Sequence, residues 1–266
     1  MAKAPKGDNK SAELQVMTLR TGMLHMCIKG VSPLILHAMS DKAKHELLLP
    51  KGRKTAAERA ENLKHNPIEE YRSSVYAHAD DEHSTRIMFP AGGFKKAAMT
   101  AALDLPGMKK TEIGRLLWVK GATVDIYGIP QMLMSVVRSA DINRTPDIRT
   151  RAIIPAWACR VSVQYVKPKL ADQQVANLFA AAGMIAGIGD GRQEKGALNY
   201  GQFELCSEDD PEFMEIVKNG CMTAQDIALQ APSCHDLESD RLFAWFNEEV
   251  AKMGERAKPT KVAVTA

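Results

Sequence analysis

Much that would mark a common class of protein is missing from this sequence. Its five cysteines, Cys27, Cys159, Cys206, Cys221 and Cys234, are scattered and form no CxxC pair. That excludes a zinc-finger spacing and a disulfide framework, and reduced, mostly buried thiols are expected. No apolar run reaches the roughly 18 residues needed to cross a bilayer. The polar opening MAKAPKGDNKSAE lacks the apolar segment of a signal peptide. A cytoplasmic protein without membrane contact is therefore expected. GxxxxGK[ST], HExxH, a Ser–His–Asp order and the kinase motifs are all absent, which argues against the common enzyme classes. A strong charge excess is lacking too. The net charge of +3 does not by itself imply nucleic acid, so the distribution of cations matters more than their sum.

What is present is an ordinary globular composition, 45% hydrophobic and 25% charged over 266 residues. That length suits one core with sizeable insertions. Residues 23–31 alternate as a half-buried strand, and residues 40–49 look helical with Ser40 as a cap. A basic loop and a short helix are expected over residues 51–63. Asn66, Pro67 and Glu69 open another helix. Residues 86–89 read as a strand, 94–103 as an Ala-rich helix and 116–127 as strand-rich. In residues 159–166, Val161, Val163 and Tyr165 share a face. A helix over 171–186, a glycine-rich loop, a strand over 200–205 and C-terminal helices complete the chain.

Without the insertions the order is strand, helix, strand, strand, helix, strand. This predicts an α+β fold with a ferredoxin-like (RRM-type) βαββαβ core. The expected division is a flexible arm over 1–20, a core over 21–206 with insertions at about 32–85 and 128–157, and a helical extension and tail over 207–266.

Three segments carry the functional reading. The first holds Ser32, Pro33, Leu34 and then His37, where the first strand closes. In the second, Phe89, Pro90, Ala91, Gly92 and Gly93 turn the chain from strand to helix, and Lys95 and Lys96 follow. Free amides at a helix start attract anions, and lysines in the first turn oppose the dipole. The third runs over 187–203, with Gly189, Gly191, Arg192 and Lys195. Its amides and cations suit phosphate, although a connection that simply packs on the core fits equally.

In this order the three segments resemble the RAMP superfamily of CRISPR systems. That family shows an "spL" turn, an "iPgssiKgalR" junction and a glycine-rich loop before its last strand. The match covers roughly residues 23–205. It departs where the family favours a glycine after "spL", and where Met99 and Thr100 stand in place of arginine. The resemblance implies a non-catalytic, single-stranded RNA- or DNA-binding protein. It would self-associate into a filament or ring, as the backbone subunit of an effector complex does, with other effector subunits as further partners. A single-stranded DNA annealing protein of recombination and a guide-processing endoribonuclease are the alternatives.

Arg138, Arg144, Arg149, Arg151 and Arg160 fall in one short stretch with only Asp141 and Asp147 as acids. They suggest a protruding, exposed basic hairpin lying over a strand; a solvated charged loop is the competing reading. For cleavage the resemblance offers as candidates His37, in the loop after the first strand and so better placed than a strand histidine to reach a ribose hydroxyl as base, and Asp41, which serves equally as a first-turn helix acid. His78, Asp80, Asp81, Glu82 and His83 form a cluster of potential metal ligands. Such runs are mostly solvated, so neither metal nor cofactor is expected.

Overall fold

In a computed structural model of the chain, residues 18–48, 65–138, 146–194 and 198–256 are described. The predicted arm up to residue 17, the basic loop and helix over 51–63, and the tail after 256 lie outside them.

Ten strands and eight helices follow one another in the described residues. They are β1 (Arg20–Gly30), β2 (Leu34–Leu36), α1 (Asp41–Leu48), α2 (Pro67–Ser73), β3 (Tyr76–Ala77) and β4 (Ile87–Pro90). Next come α3 (Ala91–Ala101), α4 (Lys110–Leu116), β5 (Leu117–Val119), β6 (Thr123–Tyr127), β7 (Gln131–Arg138) and β8 (Pro146–Ile154). The described residues end with β9 (Ala158–Lys167), α5 (Asp172–Ile185), β10 (Phe203–Cys206), α6 (Pro211–Asn219), α7 (Met222–Gln230) and α8 (Leu237–Arg256). The α+β class is as expected.

The main sheet runs β10-β1-β9-β6-β4-β3, with β5 also paired to β9, and its pairs are antiparallel. Alternation explains its two faces. Val161, Val163 and Tyr165 of β9 are fully buried, as the pattern predicts, while Ser162 and Gln164 between them are half-buried and Arg160 just before them is exposed. Helices α3 and α5 pack on each other and cover the buried face. Phe94, Ala97, Ala98 and Ala101 come from α3, and Val175, Leu178, Phe179 and Ala182 from α5.

Helix α3 begins at Ala91, ahead of the expected start at 94. Gly92 and Gly93 lie inside its first turn, because burial of the Ala91, Phe94 and Ala98 face outweighs their poor helix propensity. Lys95 and Lys96 therefore stand in the second turn, and the conflict with the dipole anticipated for a first-turn position is relieved. The helix at Pro67 starts as predicted: Asn66 caps it, accepting the Glu69 amide at 3.3 Å.

The C-terminal helices cover part of the sheet's other face. Phe213 and Ile216 of α6 pack against Tyr127 and Ala158. The Lys29 ammonium is held by Glu212 at 2.9 Å and Asp210 at 3.3 Å. The Gln225 side chain, fully buried, accepts the Ile87 amide and donates to the carbonyls of Ile126, Gly128 and Gly220. Those bonds lock α7 to the sheet, since removing one partner would leave buried backbone groups unpaired. No helix among the described residues is long and apolar enough to cross a membrane.

A second, three-stranded sheet runs β2-β8-β7 and joins the two expected insertions. The second insertion is a hairpin registered from Gln131 opposite Ile153 to Arg138 opposite Pro146. Met132, Met134, Ala152 and Ile154 sink into the main core. Arg149 and Arg151 therefore lie on a strand, not on an exposed loop, and the base of the hairpin is packed. Four buried apolar side chains outweigh the tendency of a charged stretch to stay in water.

Candidate nucleic-acid groove

The turn at Ser32, Pro33 and Leu34 feeds directly into β2, and the glycine-rich loop closes onto that strand. The Asp190 amide donates to Ile35 O at 2.9 Å, Gly201 N to Pro33 O at 2.8 Å and Ile188 N to Gly201 O at 2.9 Å. Gly189 has φ +83°, and a Cβ there would stand 2.6 Å from the Ile35 carbonyl. Only glycine permits that approach. The amides of Gly187, Ile188, Asp190 and Gly201 are thus already donating within the protein and are not available to phosphates. At those positions the loop serves as a connection that packs on the core, and what it presents outward are side chains.

Those side chains border a cavity of about 680 Å³ between β8, α2, the residues after β2 and the glycine-rich loop. His37, Phe89, Arg149, Arg151, Asp190 and Arg192 all line it. All three segments singled out in the sequence therefore meet at one groove. Phe89 represents the strand-to-helix junction, and a basic strand joins from the second insertion.

The predicted cations fall into two groups. Arg149 and Arg138 are exposed, with no ion pair among the described residues, Arg138 standing at the far end of β7. Lys96 is exposed and Lys95 half-buried; against burial, Arg192 and, more weakly, Lys96 hold the Glu194 carboxyl below its usual range. By contrast, Arg151 is only 8% exposed and donates to Asp190 Oδ2 and, at 2.7 Å, to Ser135 Oγ. Arg192 donates to Glu194 at 3.1 Å and to Gly189 O at 2.8 Å, bracing the loop from within. Gly191 holds a left-handed turn of that loop, with φ +66°. Arg144 and Lys195 lie outside the described residues, as does the Asp41 side chain at the start of α1. Arg160 is on β9, where its guanidinium stands 5.1 Å from the Phe213 ring on the far face of the sheet.

His65 and Thr150 were not singled out in the sequence. His65 Nδ1 lies 2.8 Å from Glu70 and its Nε2 3.2 Å from Asp147, so α2 is tied to the hairpin. The capping pattern located α2, but nothing in the sequence said that it faces β8. Thr150 Oγ1 and Arg151 Nε are buried without a hydrogen-bond partner among the described residues, and both residues line the cavity. Unpaired buried donors are costly, and a ligand oxygen is one way to satisfy them.

Asp190 is the hub. His37 Nδ1 lies 3.1 Å from its Oδ2, and this contact together with Arg151 holds the carboxyl well below the usual carboxylate range, against the opposing effect of burial. A depressed folded-state value means stability that is present above the unfolded value and lost as pH falls. The wild type is therefore expected to lose more stability than Asp190→Asn between about pH 5 and pH 3. Urea midpoints of the two proteins should converge on acidification; parallel curves would show that the contacts to Asp190 do not matter.

No protein-family model matches this chain, and no curated protein does. Among the solved structures that are similar to it are two whose chains it matches over about 70% of its length. The crystal structure of Cmr6 from Pyrococcus furiosus is 9% identical with a TM-score of 0.36, covering 70% of this chain and 98% of that one. The cryo-EM structure of the Type III-B Cmr-beta bound to cognate target RNA has a chain that is 11% identical, with a TM-score of 0.32. There the match covers 69% of this chain and 59% of the other. At such scores the likeness carries no part of the functional argument, which rests on this chain's own residues.

Proposed function

We propose that this chain binds single-stranded nucleic acid, RNA before DNA, in the groove bordered by β8, α2 and the glycine-rich loop. Its βαββαβ elements act as a ferredoxin-like core, and successive copies cover the strand as the backbone subunit of a CRISPR effector complex does. The observation that carries the reading is the convergence of the three RAMP-like segments on one groove. Arg149 stands at its rim, and buried donors in its wall lack partners. Phosphates would meet the exposed cations, while Arg151 and Arg192 hold the loop that shapes the groove. Association with other effector subunits belongs to the same proposal.

A titration with matched RNA and DNA oligomers of increasing length tests it. RNA should bind more tightly, and the mass of the complex by light scattering should grow with oligomer length. Tighter DNA binding with annealing of complementary strands would favour the recombination reading instead. A monomer on every oligomer would rule out assembly along the strand.

A cleavage reading has one observation in its favour, the His37–Asp190 contact inside the groove. A histidine oriented by a carboxylate can take a proton from a ribose hydroxyl. RNA cleavage that His37→Ala abolishes would establish it.

A further inference from the structure

The cluster of potential ligands at residues 78–83 is rebuilt by the fold into something its sequence does not display. The loop after β3 doubles back, so the His83 ring stacks on His78 with centroids 3.5 Å apart. Asp125, more than forty residues on, reaches them from the outward face of β6. His78 Nε2 is 2.9 Å from Asp125 Oδ1, and His83 Nδ1 is 4.0 Å from the same oxygen. Ligand atoms of the three side chains all lie within 4.8 Å of one another. A tetrahedral ion with ligands at about 2.0–2.2 Å holds them roughly 3.3 Å apart, which falls inside that spread.

The surroundings fit a metal better than a hydrogen-bond network. Asp125 Oδ1 is within hydrogen-bond reach of His78 only, and among the described residues no hydrogen bond holds the stacked His83 ring. The other nitrogen of His83, Nε2, lies 3.6 Å from the Asp80 carboxylate. At that distance Asp80 is just beyond hydrogen-bond reach, on the side of the ring where a carboxylate can orient a metal-bound histidine and raise its basicity. Asp81 is excluded as a ligand because Arg86 holds it. Arg86 also donates to the carbonyls of His78 and Asp80, both at 3.0 Å, and is anchored on Asp226 at 2.7 Å. The loop is pinned before any ion arrives. A turn of the His83 side chain, 41% exposed, closes the remaining gap.

We propose that His78 Nε2, His83 Nδ1 and Asp125 Oδ1 bind one divalent ion of the zinc class, with Asp80 orienting His83. Two imidazoles and a carboxylate are a borderline-soft donor set that leaves a fourth position open. His83 and Asp125 also line a cavity of about 440 Å³, together with Lys120, Arg160 and Ser162, from which water or an anionic oxygen could complete the coordination. The site is separate from the groove and does not depend on the function proposed for it.

Full-length protein stripped with a chelator and titrated calorimetrically with Zn²⁺ tests this. One ion per chain is expected. His83→Ala and Asp125→Asn should each weaken binding by more than about tenfold, and Asp80→Asn by about tenfold. Circular dichroism of Asp125→Asn, a nearly isosteric change, shows that the fold is intact. Co²⁺ should give ligand-field bands without the charge-transfer absorption of thiolate ligands, separating this site from the five cysteines. No stoichiometric binding, a thiolate band, or unchanged affinity in His83→Ala and Asp125→Asn would overturn the assignment.

Discussion

Trp157→Ala should lower stability by about 3–5 kcal/mol, the largest loss expected of any single substitution in this protein. The Trp157 side chain is fully buried and meets Phe203 edge-on at 6.3 Å. Its Nε1 donates to Ser32 O at 2.9 Å, and its own carbonyl accepts the Gly30 amide at 2.8 Å. Gly30 is glycine for this reason, because a Cβ there would collide with the indole. One ring therefore joins the end of the second insertion to β1, to the turn that feeds β2 and to the last strand. Truncation leaves a cavity that three separate elements would have to move to fill, and such cavities close only in part. For a chain of this size the loss corresponds to a fall of roughly 6–20 °C in Tm. Trp157→Phe should keep most of the packing, lose the hydrogen bond and cost about 1–2 kcal/mol. A Tm within about 2 °C of wild type for the alanine variant would show that the groove's scaffold does not depend on this ring.

The second large effect is on binding. Removing Arg138, Arg149, Lys95 and Lys96 together should flatten the log–log dependence of nucleic-acid affinity on salt by about three units. Each phosphate contact with a single strand contributes about 0.7. Between 50 and 200 mM salt, that difference amounts to roughly fifty-fold in affinity. The hairpin pair and the helix pair sit on different elements, so their effects should add. Arg151→Ala serves as the contrast. Its guanidinium is committed to Asp190 and Ser135, so this variant should lose stability while its salt slope stays near that of the wild type. An unchanged slope in Arg138→Ala/Arg149→Ala would remove the hairpin from the interface. A slope flattened by Arg151→Ala alone would mean that the ion pair opens to bind phosphate.

What this sequence determined by itself is local. The alternation in β9, the Asn66–Pro67 helix start, the Ala-rich faces of α3 and α5 and the order of the core elements all follow from short-range rules. Periodicity and capping need only neighbouring residues. The three functional segments were legible because turns, glycines and paired lysines are local signals as well.

What only the tertiary structure decided is which charges remain available. Arg149 and Arg151 look equivalent in sequence, yet one faces solvent and the other is buried against Asp190, nearly forty residues away. The glycine-rich loop reads as a set of free amides until its pairing with Ile35 and Pro33 uses them. His78 and His83 read as a solvated run until Asp125 arrives on a neighbouring strand. In each case the partner comes from a distant part of the chain, and pairing across such distances is set by how sheets and helices stack.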